Sequence, residues 1–257
     1  MAWNKFRYPE SVYVYTAASL EQAWSRLHAG DAEPFPANPE LLRAWIAFHA
    51  GDFELAADIG LASGIDGYSV AHKATCIHAR YLELDDQARI ATFEAVAERC
   101  ANQQGEQPEN PAAFYWHAYS LARYAQGISA VKALAQGVDS KVRDSLEATL
   151  ALAPRHAEAH IAYGAFHAEI IDKVGAMMAS LTYGVKKAEG IQHFKTALAL
   201  NPASAIARIE FANALVLLDG KKKMAEAIGL YEEAAVCEAL DAMERLDVEA
   251  AKEELQD

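Results

Sequence analysis

The chain has little of what stops or staples a fold. Its 257 residues include three cysteines, Cys76, Cys100 and Cys237, an odd number with no C-x-x-C spacing. That usage argues against a disulfide framework or a thiolate metal site and predicts buried free thiols. Glycine (14) and proline (8) are scarce, which excludes low-complexity and collagen-like chains. No apolar run approaches the ~18 residues that mark a membrane-spanning helix. The opening residues, 1–9, carry neither a secretory apolar region nor an Arg/Ser-rich transit pattern, so a cytoplasmic location is expected. Basic charge is also short: 23 Lys and Arg stand against 36 Asp and Glu, a net charge of −13. An acidic chain without a basic stripe is a poor match for nucleic acid or an anionic membrane.

Motifs of known chemistry are missing too. Neither GxSxG, nor GxxxxGK[ST], nor HExxH occurs. The lysine turns Gly184–Gly190 and Gly220–Lys223 lack phosphate-loop spacing and follow no strand, so they read as solvated helix starts. No enzymatic activity and no cofactor are expected.

What is present is helical period almost throughout, in a chain that is 53% hydrophobic and rich in alanine. Residues 149–168 and 197–216 repeat one another at an offset of forty-eight: Thr149–Pro154 matches Ala197–Pro202, and the register runs on through Ile161/Ile209, Tyr163/Phe211 and Gly164/Ala212. A repeat at fixed offset implies stacked helical units, each burying its apolar face on the next.

With Pro202 closing one unit, Phe194 and Ala197 take its aromatic and small positions. Arg208, Phe211, Ala212 and Leu215 then open the next first helix, and Ala227, Tyr231 and Ala234 mark its second. Gly51–Ala56, preceded by Trp45 and Phe48, is a degenerate earlier copy. These residues and spacings resemble the tetratricopeptide repeat (TPR), a helix-turn-helix unit of thirty-four residues. The surplus after His167 would be absorbed by a lengthened helix, 156–181, forming an insert at 168–184 ahead of helices 187–200, 204–219 and 224–237. Insert and flanking repeats together look like the divergent TPR group that includes the regulator-of-microtubule-dynamics proteins and TatT-type proteins associated with TRAP transporters.

The expected fold is all-α, a TPR-like right-handed solenoid of antiparallel helix pairs in one domain, 1–257. Its parts are degenerate repeats at 1–101, a polar loop at 102–110, better-patterned repeats at 111–237 and an acidic capping helix at 238–257. That last stretch carries eight acidic residues against Arg245 and Lys252.

The resemblance implies a protein-interaction scaffold holding a peptide or partner helix on its concave face. Tyr163, Arg123, Arg208 and Asn213 are the candidate contact residues, and a basic or mixed-charge protein is the expected partner, with a homo-oligomer as a further possibility. Two other patterns stand out. His156, His160 and His167 share a helix stripe, and His160, His167 and Glu169 are an alternative metal or small-molecule site beneath the insert. The aromatics of Phe114–Tyr124 read first as core, as do Met177 and Met178, with partner contact as the other reading.

Overall fold

The computed structural model describes residues 3–256, so Met1, Ala2 and Asp257 of the expected span lie outside the described residues. Among the described residues there is no β-strand. The chain divides into two compact units, the first made of residues 1–28, 33–154 and 240–243, the second of 29–32, 155–239 and 244–257.

The first unit contains α1 (Ala17–Leu27), α2 (Pro39–Ala50), α3 (Phe53–Ala62), α4 (Tyr68–Tyr81), α5 (Asp86–Glu106), α6 (Pro111–Gly127), α7 (Ala130–Ala135) and α8 (Val138–Leu152). Most starts are written locally. Thr16, Asn38, Asp52, Asp85, Asn110 and Ser129 each accept a backbone N–H at the helix N-terminus, and Pro39 and Pro111 occupy first-turn positions where no N–H is needed. The aromatics of α6 are core: Tyr115, Trp116 and Tyr124 are buried, and Trp116 meets Tyr115 and Tyr119 edge-on. Residues 102–106, expected in the polar loop, instead continue α5, and the break narrows to 107–110. Buried Cys100 and Gln103 hold that last stretch in the helix against its polar composition.

The second unit contains α9 (Ala157–Val174), α10 (Ala176–Tyr183), α11 (Lys187–Leu200), α12 (Ala205–Asp219), α13 (Met224–Ala235) and most of α14 (Ala242–Glu254). Helices α11, α12 and α13 fall within two residues of their expected bounds. The single long helix 156–181 does not form. Gly175 takes φ 79° and ψ 151°, a backbone state open to glycine alone, and so separates α9 from α10. His156 is not helical either; its Nδ1 caps α9 by accepting from Ala159 N–H at 3.1 Å.

The small positions of the repeat are where helices meet. Gly164 of α9 lies against Phe194 of α11, and a Cβ there would stand 2.7 Å from the Phe194 ring and 3.0 Å from Gly190 O. Ala197, Ala212 and Ala234 are fully buried. Phe194 and Phe211 stack at 5.0 Å, joining neighbouring repeats inside a cluster with Ala157, Ile161, Ala207 and Leu215. Helix α14 lays Val248 and Ala251 on Ala205, Ile209 and Ala234, with Asp247 buried and Glu253 and Glu254 exposed.

Candidate partner-binding groove

Helices α12 and α13 and the end of α14 enclose an open groove of about 460 Å³. Val216 and Leu217 come from α12, Met224, Ala227 and Ile228 from α13, and Leu255 follows α14. Four of these large apolar side chains are well exposed: Leu217 42%, Met224 40%, Ile228 46% and Leu255 41%. Two polar features orient the groove. Tyr231 donates its hydroxyl to Asn213 Oδ1 at 2.7 Å, which leaves the Asn213 amide N–H groups as donors, and Glu254 places a carboxylate on the lining. The lysine turn 220–223 stands at the start of α13 as a 3-10 turn, with Lys223 bound to Glu226 at 2.5 Å.

The four expected contact residues have different surroundings. Asn213 lines the groove. Arg208, only 18% exposed, is spent as a strut: its guanidinium donates to Pro202 O at 2.9 Å and Ser204 O at 3.0 Å, and Nε donates to Glu233 at 3.1 Å. Tyr163 sits between His167 and His193, with ring centroids 4.8 and 4.9 Å away. Arg123 belongs to the first unit, over the Tyr119 ring at 5.4 Å and donating to Gln126 at 3.2 Å.

The histidines of the alternative site go to separate partners. His160 Nδ1 lies 2.8 Å from Nδ1 of His193 on α11, so one ring donates and the other accepts. His167 is buried and its Nδ1 meets the Lys186 backbone, 2.9 Å from the carbonyl and 3.2 Å from the N–H, closing the turn into α11. Burial, reinforced by His160 and His167, lowers the His193 pKa from 6.5 to about 4, so the His193 ring is neutral at physiological pH. Among the described residues no group of three or more His, Cys, Asp or Glu is disposed to hold a metal ion. His193 was the residue missed in the sequence. Gly190, His193, Phe194 and Ala197 fall at i, i+3, i+4 and i+7, the signature of a buried helix face, and that signal would have found it.

A cysteine–histidine contact in the first unit looks reactive but is not. Cys100 Sγ lies 3.2 Å from His72 Nδ1, yet burial raises the thiol well above its ordinary value, and burial, then Arg99, lowers His72 to about 3. Cys76, against Ser120, is pushed up to about 12 by burial. Neutral thiols make poor nucleophiles. The third cysteine, Cys237, is half-buried rather than buried.

Methionines 177 and 178, expected in the core, are instead exposed at 74% and 49%, with Leu181 at 77%. Gly175 at one end of α10 and Gly184 (φ 73°) at the other turn the chain, and only Ala179 of the helix is buried.

A solved structure shares this architecture over most of the chain. It is a thermophilic TPR protein of Thermus thermophilus, 13% identical, covering 83% of this chain and 97% of that one with a TM-score of 0.57. The fold is TPR-like. No protein-family model and no curated protein matches the sequence. The TPR-like helices account for the buried alanines and glycines, which let helices approach closely. They also account for the α12–α13 pair that forms two walls of the groove. Among the described residues, no helix is long and apolar enough to cross a membrane.

Proposed function

We propose that this protein is a non-enzymatic cytoplasmic scaffold that seats a protein segment in the groove formed by α12, α13 and the end of α14. The supporting observation is the groove itself: four exposed large apolar side chains gathered on a TPR-like fold, beside the Asn213–Tyr231 pair. Apolar anchors supply affinity in such a seat, and a few placed polar groups set register. Glu254 and the net charge of −13 favour a segment that is basic or of mixed charge.

The test is capture from extracts of the native host with wild type and with Ile228→Glu, a change at an exposed wall that spares the core. Specific partners should be retained by wild type, lost by Ile228→Glu, and retained by a control substitution outside the groove such as Glu147→Lys. Equal capture by all three would remove the groove from the function.

A further inference from the structure

The crossing of α9 and α11 brings two imidazoles edge to edge. Gly164 and Gly190 lie where these helices touch: a Cβ on Gly164 would stand 3.0 Å from Gly190 O, and one on Gly190 would stand 2.8 Å from His167 Cβ. His160 stands one turn before Gly164 on α9, and His193 follows Gly190 by most of a turn on α11. The close approach of the two backbones lets both side chains reach across. His160 Nδ1 and His193 Nδ1 are 2.8 Å apart, with the ring centroids 5.0 Å apart. Both rings are half-buried, and Tyr163 backs His193 with its ring centroid 4.9 Å away.

Two nitrogens this close have the spacing of neighbouring ligands on one ion. Nitrogens about 2.0 Å from a metal stand about 2.8 Å apart at an angle of about 90°, and about 3.3 Å apart at the tetrahedral angle that zinc prefers. We propose that His160 and His193 form a two-histidine site for a divalent transition metal of square-planar or octahedral preference, nickel(II) or copper(II), which clamps α9 to α11. Both Nδ1 lone pairs ligate. The ring that donates its Nδ1–H in the hydrogen bond moves that proton to Nε2, so its proton count is unchanged. The torsion that carries each ring has a broad minimum, so the two lone pairs can swing from each other to a common point. His193 is already neutral at physiological pH, held at about 4 by burial and then by His160 and His167, so the metal displaces no proton from it. Water completes the coordination, because among the described residues no third His, Cys, Asp or Glu joins the pair in a metal-holding group. His167 spends its Nδ1 on the Lys186 backbone, and Glu189, one turn before His193, is bonded to Lys186 at 2.7 Å. With two protein ligands the site is open, so it fills as metal concentration rises rather than holding a permanent ion.

Titration of nickel(II) chloride into the untagged full chain tests this, nickel being the probe because thiols do not reduce it. Calorimetry should give one nickel per chain, and the melting temperature should climb with nickel concentration, since an ion held by the folded form alone stabilises it. His160→Gln and His193→Gln should each abolish both effects, because one remaining ring cannot chelate. Glutamine can keep a hydrogen bond to that ring, and unchanged circular dichroism checks the fold. His117→Gln, in the first unit, should leave both effects intact. A second measurement on wild type needs no variant to fold: paramagnetic nickel should broaden the ring nitrogen signals of His160 and His193 before those of the other seven histidines. Absence of saturable binding overturns the proposal, as does binding that survives either glutamine at the pair or broadening centred on other rings. Zinc(II) bound more tightly than nickel(II) would overturn the right-angled geometry. The site shares no residue with the α12–α13 groove, so neither result alters the reading of that groove.

Discussion

At the scale of single residues, size at the helix crossings decides more than charge does. Ala212 is fully buried where α12 passes its neighbours, beside Phe211 and Leu215. Ala212→Leu is expected to destabilise the protein by about 1–3 kcal/mol, because added methylenes in a filled core force side chains off their rotamers or push the helices apart. A melting temperature equal to wild type would contradict the packing described. Gly164 has the same job one repeat earlier, and the forty-eight-residue register pairs these two positions. Polar residues are harder to read. His160 is visible on its stripe, but its partner His193 comes from another helix, and no spacing within α9 could supply it.

At the scale of elements, the insert is where local pattern and structure part. A period that runs unbroken from 157 to 181 suggests one helix, and composition alone cannot say whether Gly175 will stay helical. In the structure it does not. Its φ of 79° and ψ of 151° turn the chain and release α10 from α9. Gly175→Ala should therefore cost about 1–3 kcal/mol if the turn is kept, since a Cβ disfavours that backbone state. Thermal denaturation against wild type measures this, and a variant of raised stability would show that the turn can be replaced by continuous helix. The exposure of Met177 and Met178 follows from the same turn. On a continuous α9 they would have extended its buried stripe, which is why a core placement follows from periodicity and fails in the structure.

At the scale of the whole molecule, buried histidines couple stability to pH. Burial is the main cause in each case: His72 falls to about 3, and His117 and His193 to about 4, from an ordinary 6.5. A base whose folded pKa is depressed is protonated first in the unfolded chain. Stability from these groups is thus complete above about pH 6.5, declines as pH falls from there toward about 4, and flattens below about 3. The melting temperature should drop steadily across that window, and His193→Gln should make the decline shallower. A profile flat from neutral pH to about pH 4 would show that these rings gain protons without unfolding the protein.

The repeat at forty-eight residues, the capped helix starts, the small residues at crossings and the absence of strand pattern were determined by the sequence, because each rests on periodicity or on neighbours within a turn or two. Of the site, Asn213 and Tyr231 could be placed on their helices but not joined to Glu254 and Leu255, which lie far along the chain. Only tertiary structure brings those into one groove. It also decides the fate of residues 240–243. There Asp241 lies 2.8 Å from His49 Nδ1, whose Nε2 lies 3.3 Å from Nε2 of His28, and Tyr15 donates to Leu240 O at 2.8 Å. An aspartate in an acidic tail looks solvated from the sequence. It is buried here because a hydrogen-bonding partner 192 residues away offsets the cost of desolvating it.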